Sequence, residues 1–282
     1  MWKEGSVLSV SNVSVVNTNP FKTGCAPKSP ATISYFNNFF EVPNETLKVP
    51  APSAQLNSLN LKDDLLARFL PQNFIAKYLD SGFISKQIQN NPKIKELLAQ
   101  KGLEISVNPQ NVIGIVDSHL IPALNCARLI MQKSGITFSP QDYTQMEQAI
   151  LLHDIGKIFI PTEILNKKSN LTENERKIIE LHDILGVELL KGTQLPLSVL
   201  NLIAAHHNYA GNEDNSILTQ ILKIADVYSA LKENRSYKSP MSDELTFEFL
   251  YDMANKGEFN SKLVDVLKQV ILSQNLEKTT VA

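Results

Sequence analysis

From Val112 to Leu272, apolar residues recur at spacings of three and four, and no stretch of useful length alternates apolar with polar residues. That period belongs to amphipathic helices and leaves nothing from which to build a sheet. Val112, Ile115, Val116, His119, Ala123 and Ala127 form one continuous stripe. The same reading predicts a helix over Tyr143–Ile155 and another running from a Thr172/Glu175 capping box through Leu189. Further helices are predicted over Pro196–His207, Ile217–Leu231, Asp243–Asn255 and Ser261–Leu272. The fold class is all-α, a helical bundle.

Upstream, the pattern weakens in two stages. Residues 61–110 read as a small helical module that packs onto the main domain. Leu61, Leu65, Leu66 and Phe69 make one helical face that Pro71 is expected to end; Phe74–Leu79 and Ile84–Ile88 look helical, and Pro92 opens a helix that Gly102 stops. Residues 1–60 hold 6 of the 14 prolines and only 7 charged residues, with no sustained apolar period. Such a segment buries too little apolar surface to offset chain entropy, and the expectation is a disordered tail. Its aromatic cluster, Tyr35, Phe36, Phe39 and Phe40, would dock onto the folded part or recognise a protein partner.

Charge and cysteine content narrow the function classes. Lys plus Arg is 27 against 29 Asp plus Glu, a net charge of -2. That balance excludes bulk nucleic-acid binding but leaves room for a local grip on a small anion. Cys25 and Cys126 are too few for a disulfide framework or a cysteine zinc site. No signal-like segment and no run of about 18 apolar residues is evident, so the expectation is a cytoplasmic protein without membrane association.

The informative residues are polar ones in apolar company. His119 lies four residues after Ile115, and His153-Asp154 follow Ile150–Leu152. His182 is four after Ile178, His206-His207 follow Ile203, and Asp226 is four after Leu222. One such histidine is ordinarily a hydrogen-bonded core residue, and one such aspartate is ordinarily salt-bridged. All five histidines and two aspartates follow the pattern, on five separate segments. Bundle cores assemble metal sites from inward side chains of facing helices. Neutral imidazole suits Fe, Zn or Ni, and carboxylates extend the range toward Mn and Mg. Seven ligands exceed one tetrahedral site and suffice for two ions about 3.5–4 Å apart, an arrangement that activates water for displacement at phosphorus.

The order His119, His153-Asp154, Asp226 resembles the HD-domain phosphohydrolase superfamily, named for its adjacent His-Asp pair. HDIGKIFIPTEILNKKSNLTENERKIIELHDILG (153–186), the later His206-His207 pair and ADVYSALKENRSYKSPMS are more closely similar to its HD-GYP subfamily of cyclic di-GMP phosphodiesterases. The resemblance covers roughly residues 112–275, within a domain taken as 111–276. It implies that His119, His153, Asp154 and Asp226 bind a first metal, and that Asp154 bridges to a second completed by His182, His206 and His207. It implies two divalent ions, Fe or Mn first among them. Lys157 would contact the scissile phosphate or the attacking water, and Arg235 and Lys238 would hold substrate phosphate. Lys157 is four residues past His153 and an arginine can grip two phosphate oxygens, so the chemistry agrees.

The chain departs from the subfamily in one region. Asn208 stands where Glu is usual, and NYAGNEDNSILTQ replaces the signature GYP loop with a shorter connection. Ile115 occupies the position of a Glu that supplies a third metal in some members, and Ser236 that of the Pro in RPY. The expected function is therefore a metal-dependent phosphohydrolase, a phosphodiesterase for a cyclic dinucleotide or another nucleotide. The alternative is a catalytically silent nucleotide- or metal-binding signalling protein on the same fold.

Overall fold

The structure is a computed structural model that describes residues 71–207, 215–234 and 239–281. Among the described residues all regular structure is helical. The expected tail, the 61–69 helix, the 208–214 stretch, Arg235 and Lys238 lie outside the described residues.

Three helices lead in: α1 (Pro71–Leu79), α2 (Ser81–Asn90) and α3 (Pro92–Ala99). Pro71 opens α1, where a proline has no N–H to lose at a first turn; the segment it is expected to end lies outside the described residues. Asp80 and Asn91 cap α2 and α3 by accepting from Phe83 N and Lys93 N. Gly102, at φ 70, turns the chain out of this module.

The stripe from Val112 to Ala127 is not one helix. A short α4 (Gln110–Ile113) breaks, a π-helical turn spans Val116–Leu120, and α5 runs over Ile121–Lys133. Pro122 has no N–H to give to an upstream carbonyl, so the regular ladder cannot run through it. Leu120 N instead reaches Ile115 O at 3.0 Å, the wide π register that carries His119. Gln110–Lys133 is also long and apolar enough, by composition, to cross a membrane, but 61% of that window is buried in the bundle core.

Helix α6 (Pro140–Leu152) begins with a Ser139/Asp142 capping box and ends sooner than its period suggests. A tight 3-10 turn, Ile155–Phe159, replaces its predicted last residues. After α7 (Thr162–Leu165), the predicted Thr172–Leu189 helix is two: α8 (Glu173–Ile179), with the expected capping box, and α9 (Leu181–Leu190). The remainder is α10 (Leu197–Ala205), α11 (Ile217–Lys232), α12 (Asp243–Asn255) and α13 (Ser261–Val281).

Helix α11 is the axis of the bundle, packing on α5, α6 and α12, while α9 lies across the 3-10 turn and beside α10. The ion pair of Arg128 with Glu147 ties α5 to α6. Of the lead-in helices, α2 and α3 rest on α9 and α1 touches α6. Asn91 Nδ2 donates to Glu188 O at 3.0 Å and to its Oε2 at 2.8 Å, and Ile94 and Leu98 are fully buried. A single apolar core runs from Phe74 to Ile271.

Candidate metal centre

Each element ending near the centre of the bundle delivers one or two polar side chains to it. The π turn supplies His119, the end of α6 supplies His153 and Asp154, and α9 supplies His182. The end of α10 supplies His206 and His207, and mid-α11 supplies Asp226. All but His207 are buried.

Three of the imidazoles share an orientation that backbone carbonyls impose. His153 Nδ1 lies 2.7 Å from Ile150 O, His182 Nδ1 2.6 Å from Ile179 O, and His206 Nδ1 2.6 Å from Ile203 O. A carbonyl only accepts, so Nδ1 carries the proton and Nε2 faces the centre. His119 does the same through a side chain. Ser229 Oγ donates its one proton to Asp226 O at 2.9 Å and so accepts from His119 Nδ1–H at 2.8 Å. The π turn is also pinned from α11's end, where Ser118 Oγ donates to Glu233 Oε1 at 2.9 Å.

The carboxylates divide these nitrogens into two groups. Asp154 Oδ2 is 3.5 Å from His119 Nε2 and 3.4 Å from His153 Nε2; its Oδ1 is 3.3 Å from His182 Nε2. Asp226 Oδ1 faces His119 at 3.1 Å and His153 at 3.6 Å, and its Oδ2 lies 3.8 Å from His207 Nε2. Beyond Asp154, Nε2 of His182 and of His206 stand 3.3 Å apart. Lys157 Nζ donates to Asp154 Oδ2 at 2.7 Å, and its side chain is 20% exposed.

Electrostatics follow from that crowding. Burial opposes ionisation of Asp154, yet the charges of Lys157 and His153 and the nearby edge of His182 hold its carboxyl well below the usual range. Burial likewise opposes ionisation of Asp226, and the close edges of His119 and His153 override it. Burial disfavours a charged His182, but the charge of Asp183 and the close carboxylate of Asp154 lift its pKa to about 10. Burial and the neighbouring imidazoles push His206 well down. The carboxylates thus stay anionic and pull positive charge onto the Nε2 edges, where a proton or a metal cation can supply it.

The donor set fits a metal. His153 Nε2, Asp154 Oδ1 and both oxygens of Asp183 are buried and have no hydrogen-bond partner among the described residues. Two nitrogen lone pairs 3.3 Å apart repel unless a cation or proton lies between them. Three sets of ligand atoms are close enough to hold an ion: His119, His153 and Asp226; His153, Asp154 and His206; and His182, Asp183, His206 and His207.

The structure thus brings together all seven residues singled out as ligands, with Lys157 at their edge. Sequence reasoning missed Asp183, Ser229 and Asn111. Asn111 Nδ2 donates to the carbonyls of Lys157 at 2.9 Å and Ile160 at 2.8 Å, and so holds the 3-10 turn. A signal for Asp183 existed: Leu181–Leu190 contains only three polar side chains, His182, Asp183 and Glu188, and all three are buried.

The HD domain family model matches residues 107–263. The chain belongs to the HD-domain family, whose members bind divalent metals. Among curated relatives, the 3'3'-cGAMP-specific phosphodiesterase 2 of Vibrio cholerae is 38% identical over 157 residues, 51% of this chain and 29% of that protein. The cyclic di-GMP phosphodiesterase response regulator RpfG of Xanthomonas campestris is 32% identical over 153 residues, 50% of this chain and 39% of that protein. The match therefore spans well under half the length of either relative. Among solved structures, the HD domain of the L. monocytogenes phosphodiesterase PgpH aligns with TM-score 0.45 and 17% identity, covering 61% of this chain and 100% of that one.

Proposed function

We propose that the chain is a metal-dependent phosphohydrolase, a phosphodiesterase that opens a cyclic dinucleotide or a related nucleotide. The observation that carries this reading is the Asp154 carboxylate, shared between two groups of imidazole edges and touched by the Lys157 ammonium. His119, His153, Asp154 and Asp226 would hold one divalent ion. Asp154, His182, His206 and His207 would hold another, with Fe or Mn suited to the N/O set. When bound, such a pair supplies an activated water and neutralises charge at phosphorus.

The chain's own residues do the rest. Asp154 offers one oxygen to each group and so fixes their spacing. Ser229 and the carbonyls of Ile150, Ile179 and Ile203 hold His119, His153, His182 and His206 each in one tautomer. Lys157, anchored on Asp154 but partly exposed, would donate to a non-bridging phosphate oxygen. Arg235 and Lys238 would hold the remaining phosphate charge. The named relatives are phosphodiesterases of 3'3'-cGAMP and cyclic di-GMP, which supports that substrate class.

The replaced loop after His207, reading NYAGNEDNS, favours a second reading: a silent nucleotide- or metal-binding signalling protein. An assay separates the two. Mn- or Fe-loaded protein is incubated with cyclic di-GMP, 3'3'-cGAMP, cyclic di-AMP and a generic aryl phosphodiester. Hydrolysis that disappears in Asp154→Ala supports the enzyme; a folded, metal-loaded protein that turns over none of them overturns it.

A further inference from the structure

The roles above leave one buried carboxylate at the centre without an assignment. Asp183 is the third residue of α9 and is fully buried, on a helix pressed against the 3-10 turn. A carboxylate taken out of water costs several kcal/mol unless charge and hydrogen bonds compensate it. Asp183 has no hydrogen bond to either oxygen among the described residues. The groups its Oδ1 meets are Nε2 of His182 at 3.0 Å and Nε2 of His206 at 3.7 Å. Both histidines have committed Nδ1–H to a backbone carbonyl, so these Nε2 atoms are the edges available to a cation.

Those three atoms form a triangle with sides of 3.0, 3.3 and 3.7 Å. Ligand atoms bound to one ion through bonds of about 2.0–2.2 Å sit roughly 3.0–3.5 Å apart. Resting on the two-metal reading above, we propose that Asp183 is a direct ligand of the second ion. With Asp154, His182, His206 and His207, that ion would have five protein ligands, two of them carboxylates. The centre as a whole would carry three carboxylates. The added hard oxygen favours Mn or Fe over softer-site metals and leaves the second ion little room for anything but water or a phosphate oxygen.

The test is a Mn2+ titration of chelator-stripped full chain, with free Mn2+ followed by electron paramagnetic resonance. Wild type is expected to take up two ions. Asp183→Asn, which keeps the shape and removes the charge, is expected to bind one ion as before and the second more weakly, by about 100-fold. Two unaltered binding steps in a folded Asp183→Asn protein overturn the proposal and leave the two-metal reading intact. Uptake of one ion or none by wild type overturns that reading and the proposal with it. Should the variant not fold, anomalous diffraction from Mn-soaked wild-type crystals decides: an Asp183 oxygen within about 2.5 Å of the second ion supports the proposal, and none within about 3 Å overturns it.

Discussion

Gly156 lies so close to His182 that a Cβ on it would sit 2.0 Å from the His182 carbonyl oxygen and 2.6 Å from Gly186 N. The glycine of HDIGK is thus what lets the turn bearing Asp154 and Lys157 lie on the helix bearing His182. Gly186 faces it, with Ile155 Cγ2 3.2 Å from where its own Cβ would be. Gly156→Ala must push the two segments apart. The expected cost is about 3 kcal/mol, read as a lower urea midpoint, together with loss of metal binding at Asp154 and His182. A variant as stable as wild type that still binds two ions would show that the contact is dispensable.

Ser229 holds His119 in the tautomer that presents Nε2 to Asp226 and Asp154. Ser229→Ala leaves His119 Nδ1 without its acceptor. We expect metal affinity at the first group to fall by about 10–100-fold, because that is the usual cost of losing a partner behind a ligating imidazole. Mn2+ titration of the folded variant measures it, and the second group should be unaffected.

Asn111 ties down two carbonyls of the 3-10 turn from outside the centre. Asn111→Ala leaves both buried acceptors without that donor, at an expected cost of about 1–3 kcal/mol. Thermal unfolding checks the cost. A drop in kcat larger than any change in metal content would show that the displaced turn misplaces Lys157.

Lys157 touches Asp154 but offers its exposed side outward. Lys157→Met is expected to retain both metals and the fold, and to lower kcat on the activating substrate by about 10²–10³-fold, as loss of one preorganised donor does. Metal analysis alongside steady-state kinetics separates this from a ligand defect. Unchanged kcat would remove Lys157 from the chemistry.

Much of this centre was legible because its ligands interrupt apolar stripes. His119, His182 and Asp226 fall three or four residues from apolar neighbours, and that spacing survives even where His119 sits on a π turn rather than an α-helix. Helix α12 was predicted with its observed ends, Asp243–Asn255, because Ser242 caps its start. The break before Pro122 is local, a missing N–H that an apolar stripe passes over. The 3-10 turn after Leu152 and the break at Glu180 answer to tertiary packing, which periodicity does not report. Asp183 escapes a stripe argument because α9 is buried almost all round and has no polar face to set it against. Ser229 and Asn111 act through hydrogen bonds to residues 110 and 46–49 positions away, which no local pattern encodes.

The measurement that bears most directly on the central claim is metal content per chain. Protein purified anaerobically and analysed by inductively coupled plasma mass spectrometry should contain about two Fe or Mn, and Asp154→Ala, which removes the shared carboxylate, should lose both. A folded wild-type chain that holds no divalent metal after Mn2+ or Fe2+ supplementation, or an Asp154→Ala chain that still holds two, would contradict it.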